Sequence, residues 1–378
     1  MRGVNNLSMD DSLIPFNDMA RIHKPLLPQF KERLGNLVES SHLVLGAEVE
    51  LFEKELAEIE GSKFAVGVNS GTSAIELTLR ALDVGIGDEV ITTSFTFVAT
   101  CFAILQTGAT PVLVDINPRT GLLDPNCVAD AITKQTRALV FVTLHGRVEG
   151  LDELQEICKQ NGLAFIIDAA QSHLGTFKDL PQSRFCDAAT LSFYPGKNLG
   201  ALGEAGAVIT DSTEIAEKIK VMRDWGATEK YNHNSWGGNF RLETIQAGFL
   251  RIKLPHLRKW TENRKNIAKT YQGSINPEVL MDPIKSDGSH VYHIYSISCM
   301  NRDNFTKSLA NFNIGFGYHY PKAVHEQSAY KNKVIVSGAL PNSEALARTT
   351  LSIPLFPEQR DTEIERVIRV LNKLVSEK

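Results

Sequence analysis

From residue 63 to residue 210 the chain alternates between short, almost uninterrupted apolar runs and longer amphipathic stretches. KFAVGVN (63–69) reads as a strand and GTSAIELTLRALDV after it as a helix, and EVITTS followed by TFVATCFAILQTG repeats the pair. TPVLVDI, RALVFVTL and LAFIIDAA read as further strands, with LDELQEICKQNG a helix before the last of them. These runs are nearly continuous in Val, Ile, Leu and Phe, the pattern of parallel strands covered on both faces. Strands alternating with helices of this length predict βαβ units and a mostly parallel sheet. Ligands of such sheets gather at the carboxyl ends of the strands. AATLSFYP (188–195) and GAVITD (206–211) read as two more strands, and a charged helix is expected over 212–224.

Further on the texture changes. A long helical stretch from Arg241 to Tyr271 meets Pro255, which is expected to kink or end its first part. HVYHIYSISCM reads as a strand, RDNFTKSLANFN as a helix and LSIPLF as a strand. The last helix is expected to open on Thr362 and Glu365 in capping-box spacing. It then presents Ile364, Val367, Ile368, Leu371 and Leu374 as an apolar stripe. The expected architecture is a large α/β domain over 1–255, its residues 1–12 a flexible extension, and a smaller α+β domain over 256–378.

Length and composition narrow the class without naming an activity. The 378 residues, at ~150 per domain, suggest two to three domains. Apolar residues make up 43% and charged residues 22%, and 40 bases against 44 acids leave a net charge of −4. That balance argues against nucleic acid or an acidic membrane surface as the main partner. No run approaches the ~20 apolar residues of a membrane helix, and the first dozen residues lack the apolar core of a signal peptide. A soluble, cytoplasmic protein is therefore expected. Five scattered cysteines without a C-x-x-C fit reduced thiols, with neither a disulfide framework nor a metal site.

The candidate chemistry sits where strands end. NSGTSA (69–74) joins a strand to a helix: Gly71 allows a tight turn, and the amides and hydroxyls of Thr72 and Ser73 could hold a phosphate at the helix N-terminus. The same residues also suit an ordinary N-cap, and neither a Walker loop nor G-x-G-x-x-G is present. Asp168 closes the apolar run LAFII, a costly place for a carboxylate without a partner. A pyridinium nitrogen would serve, as would a cap on the next segment. Lys197 stands in the Gly- and Pro-rich turn SFYPGKNLG, where a lysine can lose its proton and become nucleophilic, or can simply be a surface lysine. Ser192 just before it could donate to a phosphate. Phe97, in SFTFVAT, could lie against a ring or be a core aromatic. Phosphate cradle, strand-end Asp, Ser and Lys, in that order, match what pyridoxal 5'-phosphate requires: a lysine to bind it, an acid at its ring nitrogen and a phosphate cup.

The chain resembles the sugar aminotransferases of the DegT/DnrJ/EryC1/StrS family, within fold type I of the pyridoxal phosphate enzymes. The resemblance runs from IPF (14–16) almost to the C-terminus, through GTSA, TFVAT, DAAQ, SFYPGKNLGALGEAGAV, GGNFRLETIQAGFLRIKL and HYPKAVH. It implies an aminotransferase-like large domain with a mostly parallel sheet flanked by helices, plus a smaller α+β C-terminal domain. It also implies roles. Lys197 would bind the cofactor and move the proton, Asp168 would keep the ring nitrogen protonated, and Gln171 would sit beside the ring hydroxyl under Phe97. Thr72, Ser73 and Ser192 would hold the phosphate, and Asn239 would reach the phosphate of a neighbouring subunit in a homodimer with shared sites. Tyr231, Arg241, His319 and His325 are candidates for the nucleotide-sugar side, with glutamate as amino donor. Two features are particular to this chain. T-L-H-G-R-V places His145 and Arg147 where many relatives have Tyr and Gln, and Tyr194-Pro195-Gly196 before Lys197 resembles members that aminate 3-keto-6-deoxy sugars. Members acting on 4-keto sugars often carry His there, and relatives that dehydrate sugars replace the lysine. A 4-keto sugar aminotransferase, another sugar-modifying enzyme with the same cofactor, and an inactive cofactor-binding regulator are the alternatives.

Overall fold

The computed structural model describes residues 12–280 and 289–376. The expected extension over 1–12 lies, Ser12 apart, outside them. The strands that position the site are β1 (Phe64–Val68), β2 (Glu89–Thr93), β3 (Thr110–Val114), β4 (Thr136–Val142), β5 (Ala164–Asp168), β6 (Ala188–Ser192), β7 (Gly206–Thr210), β8 (Tyr295–Ser298), β9 (Ile335–Val336) and β10 (Thr350–Ile353). Eight of them form one sheet in the order β1-β7-β6-β5-β4-β2-β3-β9. Within this sheet β7 alone runs opposite to the other seven strands.

The continuous apolar runs are explained by the two faces of this sheet. Alternate residues point to opposite sides: Leu139, Phe141, Phe165 and Ile167 enter one core with the helices Ala47–Ile59, Leu151–Asn161 and Thr244–Lys253. Ala138, Val140 and Ile166 enter another, against Gly71–Ala81 and Ala99–Thr107. Because both faces are covered, neither parity can be polar.

A separate core gathers Ile267 and Tyr271 from the helix Leu257–Ser274, Ile297 of β8, Leu351 and Ile353 of β10, Leu309, and Val367 and Leu371 of the last helix. Here β8 and β10 pair antiparallel. Ile14 belongs to this core, fixed by Ile14 N–H to Asn313 O (2.9 Å) and Gly315 N–H to Ile14 O (2.7 Å). Pro255 ends the preceding helix at Lys253, as its missing N–H requires.

Some elements differ from the sequence reading. The strand expected over HVYHIYSISCM is confined to Tyr295–Ser298, because Tyr292 takes a left-handed φ of 47° and turns the chain past the site. The last helix starts at Asp361, so Thr362 is not its cap; the Arg360 N–H is instead accepted by Glu363 (2.8 Å). The two-residue β9 falls in the Val334-Ile335-Val336 run, flanked by polar residues and too short to be read as a strand alone, and it pairs with β3.

Candidate active site

The carboxyl ends of β1, β5 and β6 open onto a cavity of about 730 Å³, closed from the other side by His293, His319 and Tyr320. At one end, Ser70 leaves β1 in an extended conformation and caps the helix Gly71–Ala81, its Oγ accepting Ser73 N–H at 3.1 Å. The amides of Gly71 and Thr72 fall in the first turn, where a helix has no internal acceptor for them. A Cβ on Gly71 would lie 2.6 Å from Ser192 Cβ, and one on Gly206 would lie 2.4 Å from the Ser70 carbonyl carbon and oxygen. Only glycine lets loop and strands close into this cup. Thr72 and Ser192 line it. Ser73 does not: its amide serves the cap and its hydroxyl lies 2.9 Å from Ser70 Oγ. Ser70, unremarked in the sequence, lines the cup in its place.

Asp168, the last residue of β5, is buried. Its Oδ2 accepts Thr100 Oγ1–H at 2.8 Å and its Oδ1 accepts Ala170 N–H at 3.2 Å. Burial pushes the carboxyl above its ordinary value, while these two donors and the Lys197 charge hold it down. Gln171 accepts His145 N–H at 2.5 Å and donates to the Tyr320 hydroxyl at 3.1 Å, so its amide is fixed. Phe97 is 55% exposed and faces the cavity, tilted against Tyr320 at 5.6 Å; the core aromatic is its neighbour Phe95.

Lys197 follows a tight turn closed by its own N–H to Tyr194 O (2.8 Å). A Cβ at Gly200 would come within 2.1 Å of the Pro195 oxygen, so the turn needs that glycine too. Burial lowers the Lys197 amine from 10.5 to about 8, against the opposing pull of Asp168. The surrounding histidines are held neutral by the same burial: His145 and His173 fall to about 3 and His319 to about 4. His293 lies well below its ordinary value.

Of the sugar-side candidates, His319 lines the cavity. Asn239 and Tyr231 are exposed outside it, and Arg241 pairs with Asp224 at 2.7 Å. His325 is engaged on both ring nitrogens, by Ser94 (2.6 Å) and Glu344 (3.3 Å). Arg147 is buried against Glu149 (2.8 Å) behind His145 and does not reach the cavity. Thr100, His293 and Tyr320 were not singled out in the sequence. Thr100 is the second residue of the helix Ala99–Thr107, whose side chain meets Asp168 only through the fold, and the other two arrive from distant segments. Among the described residues there is no His, Cys, Asp and Glu cluster able to hold a metal, and no helix long and apolar enough to cross a membrane.

The cup that a Cβ would fill, the buried strand-end acid and the low-pKa lysine fit pyridoxal phosphate. The chain is 37% identical over 357 residues to the dTDP-3-amino-3,4,6-trideoxy-alpha-D-glucose transaminase of Streptomyces venezuelae, covering 94% of each chain. It is equally 37% identical over 359 residues to the pleiotropic regulatory protein of Geobacillus stearothermophilus, covering 94% of this chain and 96% of that one. Its fold matches S. venezuelae DesV, solved in complex with ketimine intermediate, with a TM-score of 0.92 at 36% identity, over 96% of this chain and 98% of the other. The model of the DegT/DnrJ/EryC1/StrS aminotransferase family matches residues 27–372, and the chain belongs to that family.

Proposed function

We propose that this enzyme uses pyridoxal 5'-phosphate to move an amino group from glutamate to a nucleotide-linked 3-keto-6-deoxy sugar, as a homodimer in the cytoplasm. The observation that carries the reading is the Lys197 amine, lowered to about 8 inside a cavity that also holds Asp168. The choice of a 3-keto acceptor rests on Tyr194-Pro195-Gly196 before that lysine and on the 3-amino sugar named for the S. venezuelae relative. The free cysteines suit a reducing compartment.

The cofactor, when bound, supplies an electron sink for the carbon that exchanges its amino group. Gly71, Thr72 and Ser192, helped by Ser73 through the cap it makes with Ser70, hold its phosphate at the helix N-terminus. Asp168 accepts the hydrogen bond of the ring nitrogen, with Thr100 aiming the carboxylate. Gln171 meets the ring hydroxyl and Phe97 covers a ring face. Lys197 Nζ takes the proton from the reacting carbon of glutamate and returns one to the sugar carbon, a general-base contribution of typically ~10²–10⁴-fold. Asn239, Tyr231 and Arg241 serve the site of the second subunit.

The test is to load the protein with pyridoxamine phosphate and offer 3-keto and 4-keto nucleotide sugars, watching for return of the aldehyde cofactor. Response to 3-keto sugars alone is expected, and response to 4-keto sugars alone would overturn that choice. Failure of glutamate to produce pyridoxamine phosphate at all would favour a regulator without turnover, the reading that the name of the G. stearothermophilus relative suggests. For the dimer, mixed Lys197→Ala and Asn239→Ala chains should recover activity, since one site of the hybrid is then intact.

A further inference from the structure

His145 stands at a left-handed backbone position (φ 60°) between the cofactor side of the cavity and the second core. Its ring Nε2 lies 2.9 Å from the His319 carbonyl oxygen and its Nδ1 lies 3.3 Å from Ser296 Oγ. Ser296 and Ser352 are register partners on β8 and β10, which turns both hydroxyls to one face, 3.3 Å apart. Ser352 Oγ lies 2.9 Å from His319 Nδ1 and closes the ring of contacts.

The donors in this ring can be assigned by elimination. A carbonyl oxygen only accepts, so His145 Nε2 carries a proton. A neutral imidazole has one N–H, and burial keeps His145 neutral, so its Nδ1 accepts and Ser296 donates to it. Ser296 has then used its only proton, and the contact between the serines requires Ser352 to donate to Ser296. Ser352 is spent in turn, so His319 Nδ1 must donate to Ser352. His319 is neutral as well, and its Nε2 is left as a bare lone pair at the opposite edge of the ring. Phe16 stacks on that ring at 5.4 Å and 21°, restraining its rotation.

We infer that His145 is a positioning residue which, through Ser296 and Ser352, fixes His319 as the Nδ1–H tautomer, so that His319 offers the cavity a hydrogen-bond acceptor and selects a sugar bearing a hydroxyl at the point of contact. The inference rests on the proposed sugar aminotransferase reading for its ligand, but the tautomer does not. His145 also donates its own N–H to Gln171, so one residue orients both a cofactor contact and a sugar contact. A tyrosine here would carry its polar contacts on one oxygen at the tip of a longer ring, whereas the His319 carbonyl and Ser296 are met at two separate nitrogens of the imidazole.

The experiment reads the His319 tautomer directly from nitrogen chemical shifts in histidine-labelled holoenzyme, the signal being assigned by its loss in His319→Asn. The expected result is Nδ1–H in the native chain and a mixed or Nε2–H population in Ser352→Ala and in Ser296→Ala, with Ser352→Thr restoring the native pattern. The same Ser→Ala changes should raise KM for the keto sugar about twofold to tenfold, the worth of one hydrogen bond, and leave the glutamate half-reaction unaltered. An Nε2–H tautomer in the native chain, or a tautomer indifferent to both serines, overturns the inference. If glutamate fails to react with the native enzyme, the functional reading falls while the tautomer result still decides this one.

Discussion

The state of the Lys197 amine can be measured without knowing the sugar. Burial brings it from 10.5 to about 8. At pH 7 an amine of 10.5 is neutral in about one molecule in 3,000, and one of 8 in about one in eleven, a gain of roughly 300-fold in the reactive form. The perturbation is Asp168→Asn. The Asp168 charge favours the ammonium and so raises the lysine pKa; removing it should lower that pKa further and enlarge the neutral fraction. The assay is limiting acylation of the cofactor-free protein between pH 6 and 10, with the Lys197 peptide quantified by mass spectrometry against surface lysines. The native rate should titrate with a midpoint near 8 and the Asp168→Asn rate with a lower one. A native midpoint near 10, or an upward move in Asp168→Asn, would refute the claim that burial opposed by one carboxylate sets this amine.

Three further outcomes follow from contacts described above. Gly71→Ala forces Ser192 away from the cup; overpacking costs about 1–3 kcal/mol, so a cofactor titration should show binding weakened by roughly fivefold to 150-fold, and unchanged affinity would mean the cup does not depend on that approach. Thr100→Val removes a donor that holds the Asp168 carboxyl down; the acid limb of kcat/KM should move to higher pH, while Thr100→Ser should leave it in place. Arg223 donates to Glu53 and to the Gly67 carbonyl (2.7 Å) in a buried pair. Arg223→Ala strands the Glu53 charge and should cost about 3–5 kcal/mol in urea unfolding, most of it recovered in the Arg223→Met, Glu53→Leu double variant.

The parts of this site that were legible in the sequence are those carried by one strand end and its following turn. Asp168 at the end of LAFII, the glycine after NS, and the lysine in a Gly- and Pro-rich turn each announce their chemistry locally, because a polar group at the mouth of a buried strand needs a partner. The rest depends on packing between distant segments. Ser70 displaces Ser73 from the cup through a cap geometry that composition does not distinguish, since both are serines within one turn. His293 and Tyr320 reach the cavity from segments that adjoin the strand pair β8 and β10 of the second core, far from Asp168 and Lys197 in sequence. In the fold, apolar runs alternating with helical stretches gave the sheet away, whereas the Val334-Ile335-Val336 run of β9 is too short to declare itself without its partner β3. His145 was visible as an oddity in T-L-H-G-R-V, but its partners Ser296 and Ser352 lie more than a hundred residues further along.

Charge in the cavity supplies a physical reason to look beyond one chain. On the proposed reading a nucleotide diphosphate and a cofactor phosphate together bring several negative charges, yet among the described residues lining the cavity Lys197 is the one Lys or Arg, against Asp168 and Glu204. The nearby histidines cannot help, since burial and the Lys197 charge keep His173, His293 and His319 neutral. Arg147 answers to Glu149 and Arg241 to Asp224, neither within the cavity. The cofactor phosphate can be met by the helix N-terminus and hydroxyls of the cup, as an anion site of backbone donors needs no cation. The diphosphate has no such provision. In water, two charges 4 Å apart are worth about 1 kcal/mol, but about four times that at the effective dielectric of a protein surface, so each cation within reach would add substantially to the hold on a diphosphate. The exposed stretch around Tyr231, with Lys230 against its ring at 5.3 Å, is where this chain holds a cation to lend, and Arg241, already paired with Asp224, lies ten residues on. A second copy bringing that stretch over the cavity mouth would complete the charge balance, and neutralising Lys230 and Arg241 should then weaken sugar binding while leaving the glutamate half-reaction intact.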